Sequence, residues 1–408
     1  MSRILAGAAA LAALWAVFPP APGHAQAPAL APNLESDAFD AALARDADVT
    51  GLEAELRAAE MRARSFGWVF EGAPSASLSY RSDQSGSGLG AREYEAEIGA
   101  PIWLPGERGA AQQAAAAELA VLRAQLDLAR LDVAARVREA AAQVRRADAA
   151  LAIAERVAQD STALVAATRR LTDAGEAARA DLVLAEAADA EAQAARAGAQ
   201  ADAISARARF RALTGLETAV FVDAAIDPSA ALDTHPLLRR RQAERDAGEA
   251  TARRVALAGF PSPEIGLLAR RERGAFGQDY DESVGVRITV PLGRDPGTGA
   301  AVAQARAQAR RAQTALETDR ASLEAELEVA RARLAAAEAG LSAARVRRDR
   351  LAEALGFAER ARREGETGFI EVLRARTAAA DAERALAFAE IDRDVARGAL
   401  AQALGILP

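Results

Sequence analysis

Two histidines, two methionines and no cysteine are all that this chain of 408 residues offers to soft-metal or thiol chemistry. His24 lies in the N-terminal leader, and His235 stands beside Pro236 where a helix should start. A metal site needs several ligands converging on one point, so a lone imidazole at a helix start reads as structural. Without cysteine there is no disulfide, no thiolate nucleophile and no acylatable cysteine after the leader. "GRDPGTGA" at 293–300 is glycine-rich but lacks the lysine of a phosphate loop. The 58 carboxylates are strewn along helical stretches rather than paired in one pocket. No enzyme and no cofactor are expected. With a net charge of −7, nothing suggests bulk attraction to nucleic acid.

Two matched turns place glycine and acid at the same spacing: "GEAARADLVLAEA" and "GETGFIEVLRARTA". Gly175, Glu176, Asp181 and Leu182 in the first correspond to Gly365, Glu366, Glu371 and Val372 in the second. Each follows a long helical stretch and precedes another, so each reads as the tip of a helical hairpin. Arg169–Arg170 and Arg362–Arg363 fall in the last turns before reversal, where cations offset the helix dipole. The plain reading of these charges is capping and solubility; the functional one is a docking tip for a partner's helical hairpin.

The elements that carry these tips are long. Hydrophobic residues make up 51% of the chain but aromatics only 4%. Such Ala-, Arg- and Glu-rich composition belongs to helices packed side by side. Helices are expected over 51–68, 107–171, 179–214, 236–257, 300–363 and 369–404. At about 1.5 Å per residue the 107–171 helix reaches roughly 95 Å. Leu316, Leu323, Ala330, Ala337, Ala344, Leu351 and Ala358 keep heptad spacing, as do Leu327, Leu334, Leu341 and Leu355. So much of these seams is Ala that neighbouring helices must cover them.

Between the helices lie four alternating segments at 74–82, 92–104, 263–272 and 282–292. In each, aliphatic and polar residues occupy opposite faces. Leu78, Tyr80, Ile98, Ile102, Ile265, Leu267, Val284, Val286, Ile288 and Val290 are expected to face lipid. The lengths suit the about 9–11 residues of a transmembrane strand, and Glu, Arg and Ser on the other face suit a water-filled lumen. A soluble two-sheet sandwich fits the same alternation. If the strands span lipid, four cannot close a barrel, because the smallest have about eight and open edges leave backbone groups unpaired. Two chains would supply eight strands and three chains twelve; a lumen wide enough for solute favours three.

The chain repeats itself. Ile98, Pro101, Gly109 and Ala110 match Ile288, Pro291, Gly299 and Ala300, and the same offset relates Gly175 to Gly365 and Gly215 to Gly405. One offset from strand to last helix marks a tandem duplication. The expected divisions are a signal peptide at 1–25, a first repeat at 26–220 and a second at 221–408. The leader has Arg3, the apolar run "ILAGAAALAALWAVF" and small residues for cleavage near Ala25. Within the connector, "VFV" at 220–222 is a candidate short strand.

These features together resemble the TolC-type outer-membrane factors of tripartite efflux and type I secretion systems. The carriers are the duplication, "APIWLPGERGAA", "THPLLRRRQAE", "SVGVRITVPLG" and the paired tips. "PIWLPGERGAA" and "SVGVRITVPL" are most similar to the cobalt–zinc–cadmium efflux branch. The resemblance implies a mostly α fold with a small β part, in which duplicated long α-hairpins form an α-barrel. It further implies a homotrimer with a twelve-stranded transmembrane β-barrel in the outer membrane and a periplasmic helical tunnel. The implied partners are a periplasmic adaptor (membrane fusion) protein, an inner-membrane pump of the RND type and outer-membrane lipid. The tunnel would narrow near the tips, where Asp181 and Glu371 could ring it in three copies. The duct would be passive, with heavy-metal cations as a candidate cargo. The outer subunit of a type I protein-secretion system and a soluble periplasmic coiled-coil scaffold or adaptor are the alternatives.

Overall fold

The computed structural model describes residues 34–217, 226 and 232–408. The expected leader and the candidate strand at 220–222 lie outside the described residues. The described chain runs α1 (Leu34–Leu43), α2 (Ala47–Ser65), β1 (Ser75–Ser82), β2 (Arg92–Pro101), α3 (Glu107–Asp173) and α4 (Arg179–Thr214). After a short 3-10 turn at Leu232–Thr234 the order continues with α5 (Pro236–Leu257), β3 (Glu264–Arg273), β4 (Asp281–Thr289), α6 (Thr298–Arg363) and α7 (Phe369–Ala403).

The two long helices, of 67 and 66 residues, are each about 100 Å long. Each is flanked by two shorter helices that share its length. Along α3, α2 covers the strand-side half, where Arg123 reaches Glu60 at 3.4 Å. Helix α4 covers the tip-side half, where Ser161 donates to Asp189 at 2.7 Å and Arg169 pairs with Glu186 at 2.6 Å. Along α6, α5 and α7 divide the length in the same way, through Arg241–Asp319 at 2.7 Å and Arg376–Glu359 at 2.6 Å. The hairpins turn at matched glycines, Gly175 and Gly365, with φ of 77° and 78°. That left-handed conformation is strained for any residue with a Cβ.

Helix α3 is central. It packs on α4 and α2, and also on α7 and α5 from the C-terminal half of the chain. Arg145–Asp394 at 2.7 Å and Arg156–Glu383 at 2.6 Å tie α3 to α7, and Arg239–Asp127 at 3.3 Å ties it to α5. The helices therefore form a wall whose order is α4–α3–α7–α6 toward the tips and α2–α3–α5–α6 toward the strands. Its core lies where α1, α2, α3 and α4 meet, around Phe39, Val49, Leu126, Val133, Val137 and Phe210. Phe210 is 1% exposed, and burial of such a side chain contributes about 1.5–3 kcal/mol.

The two flanks of the wall are open. Helix α3 buries residues as far as Thr168, whereas α6, of nearly equal length, buries none beyond Leu341. Its expected heptad seams are nonetheless the less exposed face: Leu323, Leu327, Ala330 and Leu341 are buried, and Leu351 and Leu355 are half-buried.

The strands form one antiparallel sheet in the order β1-β2-β3-β4. Strands β2 and β3, far apart in the chain, pair in the middle, with Ile98 opposite Leu267 and Glu95 opposite Arg270. Strands β1 and β4 are open edges.

Several expected boundaries move, and the helix expected to reach 68 ends at Ser65. The helix expected at 51–68 starts at Ala47, because Asp46 caps it by accepting from the backbone N–H of Asp48 and Val49, and α1 precedes it. Strand β2, expected to reach 104, ends at Pro101, which has no N–H to donate. Ile102 therefore lies just past the strand, half-buried and in an isolated bridge to Phe70. Strand β4, expected to reach 292, ends at Thr289, so Val290 also lies past its end, 56% exposed.

Candidate functional site

The sheet has two chemically opposed faces. Antiparallel register aligns Leu78 with Ala96, Ile98 with Leu267, and Leu267 with Val286, while Ile265 stands between Ala100 and Ile288. All of the strand residues expected to face lipid share this face. Leu78, Val284, Ile98 and Ile288 are 81%, 84%, 64% and 64% exposed within the chain, so nothing in the protomer covers them. A contiguous apolar sheet face of this extent marks contact with another apolar phase or partner.

The opposite face is an ion-pair lattice. Arg81 contacts Glu93 at 2.8 Å, Arg270 contacts Glu93 and Glu95 at 3.0 Å each, and Arg287 contacts Glu95 at 2.7 Å and also Glu97. Ser75, Ser77 and Ser79 extend it on β1. Leu268, the residue that breaks the alternation of β3, packs toward Gly285: a Cβ there would lie 3.3 Å from Leu268 Cδ1.

Aromatic residues collect at both ends of the apolar face. At the hairpin-loop end, Tyr94 packs between Tyr80 and Tyr280, with ring centroids 5.0 and 6.4 Å away. At the helix end are Trp68, Phe260 and Trp103, whose Nε1–H donates to the Trp68 carbonyl at 3.1 Å. Aromatic belts at both rims of an apolar band are characteristic of strands that cross a bilayer. No described helix is long and apolar enough to cross a membrane.

At the far end of the wall lie the two tips. Gly175, Glu176, Gly365 and Glu366 are exposed; Leu182 is half-buried and Val372 is buried. The acids at matched positions differ in their bonding. Asp181 is held by Arg362 of the other hairpin at 3.1 Å, and Arg362 also donates to the Thr367 carbonyl at 3.5 Å. Glu371 pairs only locally, with Arg374 at 2.9 Å. The structure thus ties Asp181 to the second hairpin and leaves Glu371 exposed. Sequence reading found the acids but missed Arg362 as a cross-hairpin partner, although "RR" before the turn was visible.

His235 is a helix cap. Its Nδ1 accepts from the Leu237 N–H at 3.2 Å, and its Nε2 lies 3.4 Å from the Gln402 carbonyl. Burial holds its pKa below the ordinary imidazole value. Among the described residues, no group of three or more His, Cys, Asp or Glu is placed to hold a metal ion.

Residues 228–406 match the family model "Outer membrane efflux protein". The fold of nearly the whole chain is shared with solved outer-membrane proteins. The outer membrane protein VceC of Vibrio cholerae superposes with a TM-score of 0.72 at 18% identity, over 91% of this chain and 96% of that one. CusC, whose structures concern folding and transmembrane channel formation, gives 0.72 at 19% identity over 92% and 92%. The open state of the MtrE outer membrane channel of Neisseria gonorrhoeae gives 0.72 at 21% identity over 92% and 89%. None of the curated protein sequences matches this chain. The resemblance to TolC-type factors read from the strand and tip motifs holds.

Proposed function

We propose that this chain is the outer-membrane duct of a tripartite efflux system, working as a homotrimer. The observation that carries the reading is the sheet: one face of uncovered aliphatics, one of paired charges, and two open edges. Three sheets joined edge to edge satisfy the edge backbone groups, place the aliphatics in lipid and enclose the ion-pair lattice in water. The same operation covers α6 of one protomer with α4 and α2 of the next, and so closes the helical wall into a periplasmic tunnel.

The division into repeats at 26–220 and 221–408, after a leader cleaved near Ala25, belongs to this reading. So does the role of the tips, residues 175–182 and 365–372, as the docking face for a periplasmic adaptor and thereby an RND-type inner-membrane pump. The acids Asp181 and Glu371 line the narrow end of the tunnel. The duct is passive, and energy and selection come from the partners. Heavy-metal cations are the cargo favoured by the likeness of "PIWLPGERGAA" and "SVGVRITVPL" to the cobalt–zinc–cadmium branch.

Fractionation tests the architecture. The full chain should appear in the outer membrane as a band that migrates as a trimer until heated. A monomer in the aqueous periplasmic extract refutes it. Deletion followed by growth on graded zinc, cobalt and cadmium tests the cargo; unchanged tolerance to all three, with drug sensitivity instead, reassigns it.

A further inference from the structure

The apolar face of the sheet does not end in neutral residues at its loop end. Register places Ser82, Arg92 and Arg273 in one row beyond the tyrosines, and Arg271 opposite Tyr94 and Glu282. All three arginines therefore lie on the face that carries Leu78, Ile98 and Val284. Arg271 lies 4.7 Å and Arg273 5.1 Å from the centroid of the Tyr280 ring, and Arg273 also stacks 5.5 Å from Phe276.

The charge balance differs from that of the lumen face. There, Arg81, Arg270 and Arg287 each have a carboxylate within 3.0 Å. In the collar one carboxylate serves three guanidinium groups: Glu282 meets Arg271 at 3.4 Å, with both side chains largely exposed. Arg273 donates to the Gly90 carbonyl at 3.2 Å, and Arg92 lies with Arg273 beside a loop-end cleft that Asp83, Asp279 and Asp281 also line. The helix-side rim is not built this way. Its arginines are turned to backbone carbonyls, Arg108 to Phe66 and Gly67 and Arg294 to Ala256. Among the strand residues of the apolar face, the excess of guanidinium over carboxylate thus lies at the loop end, at the depth of the tyrosine belt.

We propose that Arg92, Arg271 and Arg273 form a collar that binds the phosphate of a lipid headgroup in the outer leaflet. This rests on the reading of the strands as membrane-spanning. Guanidinium forks match phosphate oxygens in paired hydrogen bonds. Aromatic stacking fixes two of the forks and reduces the rotamer freedom lost on binding. A lipid phosphate differs from a free one in that its acyl chains lie along Leu78, Ile98 and Val284 while the headgroup meets the arginines. The collar would therefore select lipids by headgroup at the rim and help set how deep the barrel rides.

The full chain is reconstituted into phosphatidylcholine vesicles carrying spin-labelled phosphatidic acid or spin-labelled phosphatidylcholine, and the motionally restricted fraction gives relative association. The expected result is about fivefold preference for phosphatidic acid, or about 1 kcal/mol. R92Q/R271Q/R273Q should abolish the preference and R92Q alone should reduce it. E282Q, which releases Arg271, should raise it, an increase that misfolding would not mimic. Equal association of the two lipids with the native chain, or an unchanged preference in the triple variant, overturns the proposal. Loss of the preference in 10 mM inorganic phosphate identifies a free-phosphate site and overturns the lipid assignment. Failure of the native chain to enter vesicles refutes the membrane reading itself, and the collar with it.

Discussion

Arginine at position 98 is the sharpest perturbation of the proposed duct. Ile98 lies midway between Tyr94 at the loop-end belt and the helix-end belt that begins past Ile102, and it is 64% exposed on the apolar face. Four residues separate 94 from 98. At about 3.4 Å per residue and a tilt of about 40°, that is roughly 10 Å of depth. A cation at the midplane of a membrane barrel costs about 2–4 kcal/mol, and near the interface about 0–1. With about 1.4 kcal/mol per tenfold, Ile98→Arg should lower the insertion equilibrium about a hundredfold per chain and Tyr94→Arg less than about fivefold. Ser77→Arg, on the other face and opposite Glu97, should be near neutral. The assay is refolding of urea-unfolded chain into phosphatidylcholine vesicles, reading the fraction that becomes vesicle-bound and heat-modifiable against urea. If Ile98→Arg inserts as well as Tyr94→Arg, or if Ser77→Arg is the worst of the three, the apolar face does not meet lipid.

Four further outcomes are expected. Because burial depresses the pKa of His235, the unfolded chain binds its proton first, and stability should fall as pH drops below about 6.5; His235→Asn, which keeps an N-cap acceptor, should flatten that dependence in thermal melts at pH 5 to 8. Gly248→Val should destabilise the strand-side wall by about 1–3 kcal/mol in urea melts, since even a Cβ there would stand 2.9 Å from Ala309 Cα, Cβ and N. Arg287→Gln leaves Glu95 and Glu97 without that cation and should shift the reversal potential of the reconstituted channel toward cations in a tenfold KCl gradient. Asp181→Asn frees the first tip from Arg362 and should raise single-channel conductance, whereas Glu371→Gln should not, because Glu371 touches only its own helix; equal effects would show that the cross-hairpin pair does not hold the tips.

What could be read from the sequence follows from the range of the forces involved. Helix α4 at Arg179–Thr214 and α5 at Pro236–Leu257 begin and end where expected, because Pro236, Gly175 and Gly215 act on the chain within a few residues. The start of α2 was missed although its signal is equally local: Asp46 two positions before Asp48 is a cap, but the charged run hides it. Which residues share a sheet face was legible from period-two alternation. The ion-pair lattice was not, because Arg270 meets Glu95, 175 positions away, only through the register of β2 on β3. Arg362 and Asp181 are likewise 181 positions apart, and no local pattern links them.

The heptad seams of α6 carry a different lesson. They were legible, and they are the less exposed face of the helix, yet toward the tip Leu351 and Leu355 remain only half-buried. The opposite side shows Val329, Val346 and Phe357 at 47%, 59% and 57% exposure. A helix that carries apolar residues on two sides and is covered on one has been read against an incomplete environment. The sheet repeats the situation, with β1 and β4 offering unpaired backbone and aliphatics that no residue of the chain touches. Both deficits fall on the same flanks, and a second wall of identical build would meet both at once. Edge strands left unpaired in hydrocarbon are too costly to persist. Helix flank and strand edge must therefore be completed together, so a variant that blocks α6 packing, such as Val346→Asp, should also lower the heat-modifiable barrel fraction. A barrel that forms at normal yield beside an unassembled helical wall would separate the two and refute the coupling.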